Sequence, residues 1–196
     1  MTNQKIWSQP SQLFPTLFGQ TYMGRKVTIL DVGGARPRTI AFFSQFKCRL
    51  HIVDLYSAEF LKNPSTEMSS RQLQQEFTSF LGLPRNSAID VCLFWDIFNY
   101  LDPIHIKAFC AALQPHLHRG SRGHGFGARN SETMLADLEY AIEGVDSFLV
   151  NQRRTNRLPC YPQPQSKLKE QISCFSVDRG TLFADGRQEM LLRAKL

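Results

Sequence analysis

Residues 26–54 constrain this chain more than any other stretch. Val27, Thr28, Ile29 and Leu30 form a short apolar, β-branched run that suits a buried strand. Asp31, Val32, Gly33, Gly34 and Ala35 then break the pattern with two glycines. Residues 39–46 are apolar enough for a packed helix, and residues 50–53 read as a second buried strand ending at Asp54. The order is strand, glycine turn, helix, strand, acid. In a parallel α/β sheet, ligands bind at the carboxyl ends of the strands, where turns approach them closely.

Each part has a chemical use. Gly33 and Gly34 lack a β-carbon, so a ligand can lie against their backbone. Asp54 is placed to accept both hydroxyl hydrogens of a ribose. Asp31 suits either orienting the turn or binding a ligand ammonium. The same residues also suit a plain strand-to-helix turn with no ligand and a solvated acid.

The unit resembles motifs I and II of the class I S-adenosylmethionine-dependent methyltransferases. The first motif of that family reads roughly D-x-G-x-G-x-G, and an acid ends its second strand. Asp31 and Gly33 match, Ala35 stands at the second glycine position, and Pro37 stands at the third. No G-x-G-x-x-G is present, so a dinucleotide reading is weaker. The resemblance runs in element order over residues 27–196. It implies a Rossmann-like α/β sandwich, with a mostly parallel sheet and a C-terminal antiparallel hairpin. It implies S-adenosylmethionine as cofactor, with Gly33 and Gly34 along its methionine part, Asp31 nearby and Ala35 also among the cofactor-binding residues. Asp54 would hold the ribose, Leu55 would lie beside the adenine, and Trp95 and Asp96 would face the cofactor from the fourth strand.

Leu13, Phe14, Leu17 and Phe18 predict a short amphipathic helix within residues 8–18. By resemblance, residues 1–25 form a lid, with Trp7, Phe14 and Tyr22 as its candidates. Residues 57–61 predict a short helix, and residues 63–66 a loop. Residues 70–81 predict a helix with Leu73, Phe77, Phe80 and Leu81 facing inward. The family's third strand is very short near residues 77–80, or lost. Residues 88–95 read as a buried strand, and Asp102 followed by Pro103 opens a helix with Ile106, Phe109, Cys110 and Leu113 as its stripe. A short fifth strand is expected near residues 124–126. Residues 131–142 predict a helix capped by Ser131, with Met134, Leu135, Leu138 and Ile142 on one face and Gly144 as its end. The stretch 130–164 is expected to be an insertion or substrate lid. A helix at 166–172, a strand at 174–177 extended through 180–182, an Asp185-Gly186 turn and a strand at 189–194 close the chain.

A chain of 196 residues, 42% hydrophobic and 20% charged, fits one globular domain spanning 1–196. No apolar run has the length of a membrane span, and the N-terminus carries no signal-peptide pattern, so a cytoplasmic location is expected. Five cysteines without C-x-x-C spacing point to reduced, mostly buried thiols. The formal charge of +6 gathers at Arg119, Arg122 and Arg129, then at Arg153, Arg154, Arg157, Lys167 and Lys169. Such a surface suits an anionic partner such as RNA, or is a solvated face.

Methyl transfer from a sulfonium needs alignment, exclusion of water and, in some cases, removal of a proton. A missing nucleophile motif therefore does not count against it. Asp96 and Tyr100 are candidates for cofactor or acceptor contacts, and His124 for a general base. Residues 96–100 are not the D/N-P-P-Y/F motif of base amino methylation. Cys160 after Pro159 lies too late to be a cytosine nucleophile. His116, His118 and His124 lack nearby acidic or cysteine partners, so no metal site is expected. Two further readings stand beside methyl transfer to an unidentified acceptor. One is an inactive methyltransferase-like scaffold, suggested by Pro37, the missing third strand and the weak fifth strand. The other is an RNA methyltransferase, suggested by the charge and Ala35.

Overall fold

A computed structural model describes residues 5–18, 24–63, 68–152 and 158–195. Tyr22, Arg153, Arg154, Arg157 and all but the first residue of the expected 63–66 loop lie outside them. The central sheet is built from strands β2 (Val27–Asp31), β3 (Cys48–Ile52), β4 (Ile89–Trp95), β5 (Leu117–Ala128), β8 (Phe175–Leu182) and β9 (Arg187–Ala194). Their spatial order is β3-β2-β4-β5-β9-β8. The first four run parallel, and β9 runs antiparallel to both neighbours. This is the mostly parallel sheet with a closing hairpin that the sequence predicts. Among the described residues no strand pairs with the outer edge of β3, in keeping with a missing third strand.

Local chemistry accounts for several elements. Every residue of β4 is buried, as expected of a parallel strand covered on both faces. Helix α1 (Pro37–Phe43) opens with proline at its first position. Pro37 lacks an N–H that would have no helical partner there, so the residue that departs from the family motif starts the helix instead. Helix α2 (Glu59–Lys62) is one turn long. Helix α3 (Ser70–Leu81) begins with a reciprocal Ser69–Gln72 capping box and ends at Gly82, whose φ is 55°. Leu73, Phe77 and Leu81 are buried on it, whereas Phe80, expected inside, is exposed. Helix α4 (Pro103–Leu113) is capped by Asp102, which accepts from the N–H groups of Ile104 and His105, both at 2.9 Å.

Three expectations fail. Residues 131–142 are not a helix but a loop followed by strand β6 (Leu138–Gly144). Leu138, Tyr140 and Ile142 alternate toward the core and pair with β7 (Ser147–Gln152), while Met134 is 95% exposed. The stretch read as a lid thus supplies the middle strand of a second sheet, of order β1-β7-β6, in which β1 is Ile6–Pro10. Residues 8–18 accordingly split into β1 and a 3₁₀ turn at Phe14–Phe18. Pro15 removes an N–H donor that an α-helix would need. The fifth strand is twelve residues long rather than a short run near His124. Helix α5 (Gln165–Gln171) matches its prediction within a residue.

Cys92, Cys110 and Cys174 are buried, Cys48 is half-buried and Cys160 is exposed, and all are free thiols. Arg122 lies on β5, paired with Arg193 of β9, and Arg129 follows the end of β5. No helix among the described residues is long and apolar enough to cross a membrane.

Candidate functional site

The turn after β2 and the ends of β3 and β4 meet at one place. A β-carbon added to Gly34 would lie 3.5 Å from Oδ2 of Asp54, so the glycine turn and the second-strand acid are neighbours. Asp31, 2% exposed, turns its carboxylate back on the loop. Its Oδ1 accepts from the Gly33 N–H at 2.9 Å and from Trp95 Nε1–H at 2.6 Å. Burial pushes the Asp31 carboxyl up from 3.8 to about 7, Asp54 adds to the rise, and the two hydrogen bonds and Arg36 hold it back.

Trp95 is the central side chain. It ends β4 with φ 49°, the one positive φ among described non-glycine residues. That backbone region is costly for a bulky aromatic residue and persists where the surroundings enforce it. Here they do. Its backbone pairs with Gly125 of β5, where a β-carbon would meet the Trp95 carbonyl at 2.9 Å. Its indole stacks on Tyr140 of β6 at 5.6 Å with 8° between planes, and Tyr140 stacks in turn on Phe126. Phe148 of β7 meets the indole edge-on.

The indole also fills the cradle. A β-carbon on Gly33 would lie 2.8 Å from Trp95 Cδ1 and Nε1, so the glycine admits the protein's own side chain. The cavity lined by Gly33, Gly34, Arg36, Tyr56, Trp95, Glu139 and Tyr140 measures about 10 Å³. That is room for about one water, whereas sites for drug-sized ligands span about 300–1,000 Å³. The polar set suits S-adenosylmethionine, but the space does not admit it while Trp95 lies there.

Beyond the indole, Asp96 is buried and accepts from Tyr56 O–H at 2.6 Å. The Tyr56 and Tyr100 rings meet edge-to-face at 5.8 Å. Burial first, then the charges of Asp96 and Asp137, push the Tyr100 phenol well above its usual range. Tyr100 is therefore held as the neutral phenol.

The other expected residues divide. Ala35 is exposed on the turn. Leu55 is fully buried, with its N–H on the Val32 carbonyl at 3.0 Å, so its side chain belongs to the core. His124 has no exposed surface: Phe14, Phe126 and Phe148 surround its ring, and its Nε2 lies 2.7 Å from Glu189 Oε1. His116 contacts Ser87 and His118 contacts Asp90, so the three histidines go to separate partners. Among the described residues, no His, Cys, Asp and Glu side chains gather as a metal-ligand group.

Sequence reading missed Tyr56, Tyr140, Arg36 and Glu139. Arg36 pairs with Glu139 at 2.6 Å, tying the glycine turn to β6. The alternation of Leu138, Tyr140 and Ile142 was the available signal for the β6 residues.

No family model matches the chain, and no curated protein matches it in sequence. Solved structures do match in fold. One is a 1,6-didemethyltoxoflavin-N1-methyltransferase of Burkholderia thailandensis, solved with S-adenosylhomocysteine. It is 13% identical, with 94% of this chain and 78% of that one covered at a TM-score of 0.53. An S-adenosylmethionine-dependent methyltransferase from Clostridium acetobutylicum is 14% identical over 87% and 85%, at 0.50. The mitomycin 7-O-methyltransferase is 12% identical at 0.52; 93% of this chain matches about half of that one, 52%. The chain has the fold of the class I S-adenosylmethionine-dependent methyltransferases.

Proposed function

We propose that this chain binds S-adenosylmethionine at the carboxyl ends of β2 and β3 and directs its methyl group to an acceptor. The observation that carries this reading is the convergence of Asp31, Gly33, Gly34 and Asp54 on one turn. A packed core has no use for a half-buried acid set against a glycine turn, whereas a ribose does. When bound, the cofactor supplies an electrophilic methyl on a sulfonium. The protein's part is to bind, orient and exclude water. Asp54 would accept the ribose hydroxyl hydrogens. Asp31 would face the ammonium, which would favour its ionised form. Asp96, Tyr56 and Tyr100 would present hydrogen bonds on the acceptor side.

Calorimetric titration with S-adenosylmethionine and S-adenosylhomocysteine tests the reading. Asp54→Ala should weaken either ligand by about tenfold or more, the loss expected when a hydroxyl pair goes without its charged acceptor. An unchanged affinity removes the ribose role.

A second reading has its own observation. The roughly 10 Å³ cavity supports a catalytically silent methyltransferase fold kept for binding other proteins. Absence of binding up to millimolar ligand by a folded protein would favour it.

A further inference from the structure

We propose that Trp95 is the gate of the cofactor cradle: its indole and the amino-acid half of the cofactor exclude each other from Gly33. The inference rests on the cofactor reading above and adds what controls access to it. Three observations carry it. The indole touches the one face of Gly33 that the missing side chain leaves open. It holds Asp31 Oδ1, so a ligand ammonium and the indole N–H compete for one carboxylate. And its φ of 49° is a backbone conformation costly for a bulky aromatic residue.

The contacts holding the gate shut are side-chain contacts. They are the hydrogen bond to Asp31, the stack on Tyr140 and the edge contact with Phe148. Arg36–Glu139 at 2.6 Å and Arg38–Glu143 at 3.6 Å hold β6 against the start of α1, above the indole. Opening therefore needs the indole to turn out from between the glycine turn and Tyr140. The affinity seen for a ligand is then its intrinsic affinity reduced by the small fraction of open molecules.

The test titrates the full chain and Trp95→Gly with S-adenosylhomocysteine by calorimetry. Glycine removes the indole and also tolerates the positive φ. Trp95→Gly should bind at least tenfold more tightly than the unaltered chain. Equal affinities would overturn the gate and leave the cofactor reading standing. No binding by either folded protein up to millimolar ligand would overturn both. Should Trp95→Gly fail to fold, Trp7→Phe leaves Trp95 as the chain's one tryptophan. Its emission should shift to longer wavelength with S-adenosylhomocysteine, as a residue now 3% exposed enters water. Binding without that shift overturns the gate, and no binding overturns it together with the cofactor reading.

Discussion

Asp31 carries an ionisable group where water does not reach, and the cost falls on its charged form. In the unfolded chain it ionises near 3.8; in the folded chain burial delays this to about 7. Between those values the folded state keeps a proton that the unfolded state has released. Stability therefore falls as pH rises from about 4 to about 7, and is flat above. About three units at 1.36 kcal/mol each set an upper bound of roughly 4 kcal/mol on this one contribution. Asparagine at this position accepts the same two N–H groups and does not titrate. Urea unfolding at pH 4.5 and pH 8 should show the unaltered chain losing about 2–4 kcal/mol relative to Asp31→Asn. Equal losses in the two proteins would mean that Asp31 ionises normally. The same substitution bears on the site, since Asp31 is at once the acceptor that holds the gate and the proposed partner of a ligand ammonium.

At the scale of elements, two serines make a controlled comparison. Ser69 caps α3 in a capping box, whereas Ser131, expected to cap a helix, lies exposed in a loop. Ser69→Ala should cost about 1 kcal/mol by denaturant midpoint, and Ser131→Ala less than about 0.5. The reverse order would return a helix to residues 131–142. The pair also shows what the sequence could and could not say. α3, α4 and β4 are announced by local signals: the spacing of Leu73, Phe77 and Leu81, Asp102 with Pro103, and an unbroken buried run to Trp95. The signal at β6 is ambiguous. Met134, Leu135, Leu138 and Ile142 fit a helical period, while Leu138, Tyr140 and Ile142 fit a strand's, and β7 decides between them by pairing. The candidate site divides in the same way. Asp31, Gly33, Gly34 and Asp54 lie close to one another in sequence and were legible. That Trp95 fills the turn was not, because its pose depends on Tyr140, 45 residues away, and on a backbone angle that no pattern announces.

Across the whole molecule, the question is what fastens the small sheet and the N-terminal segment over the large one. The apolar part is a cluster in which Phe14, Phe126 and Phe148 meet around His124. The polar part comes from β9. Arg187 donates to Gln9 Oε1 at 2.5 Å and to Tyr140 O–H at 3.3 Å, so it links β1 and β6 at once. Glu189 receives Ser11 and His124 on one carboxylate oxygen, and Ser11 in turn accepts from the Phe14 N–H. Burial alone would raise the Glu189 pKa. The hydrogen bond and charge of His124, joined by Ser11, outweigh burial and bring it below the usual carboxylate value. An acid depressed in the folded state contributes stability that is present above its unfolded pKa, 4.5, and lost as pH falls through the folded value. Glu189→Gln still accepts from Ser11 but carries no charge and does not titrate. At pH 6 it should melt below the unaltered chain, by a loss on the order of 1–3 kcal/mol for a hydrogen bond to a charged group. As pH falls below 4.5 the gap should close, because only the unaltered chain has this contribution to lose there. Melting temperatures of both proteins between pH 6 and pH 3 decide the matter. A gap that stays constant would leave Glu189 as packing alone, and the fastening of the small sheet would then rest on the phenylalanine cluster and Arg187.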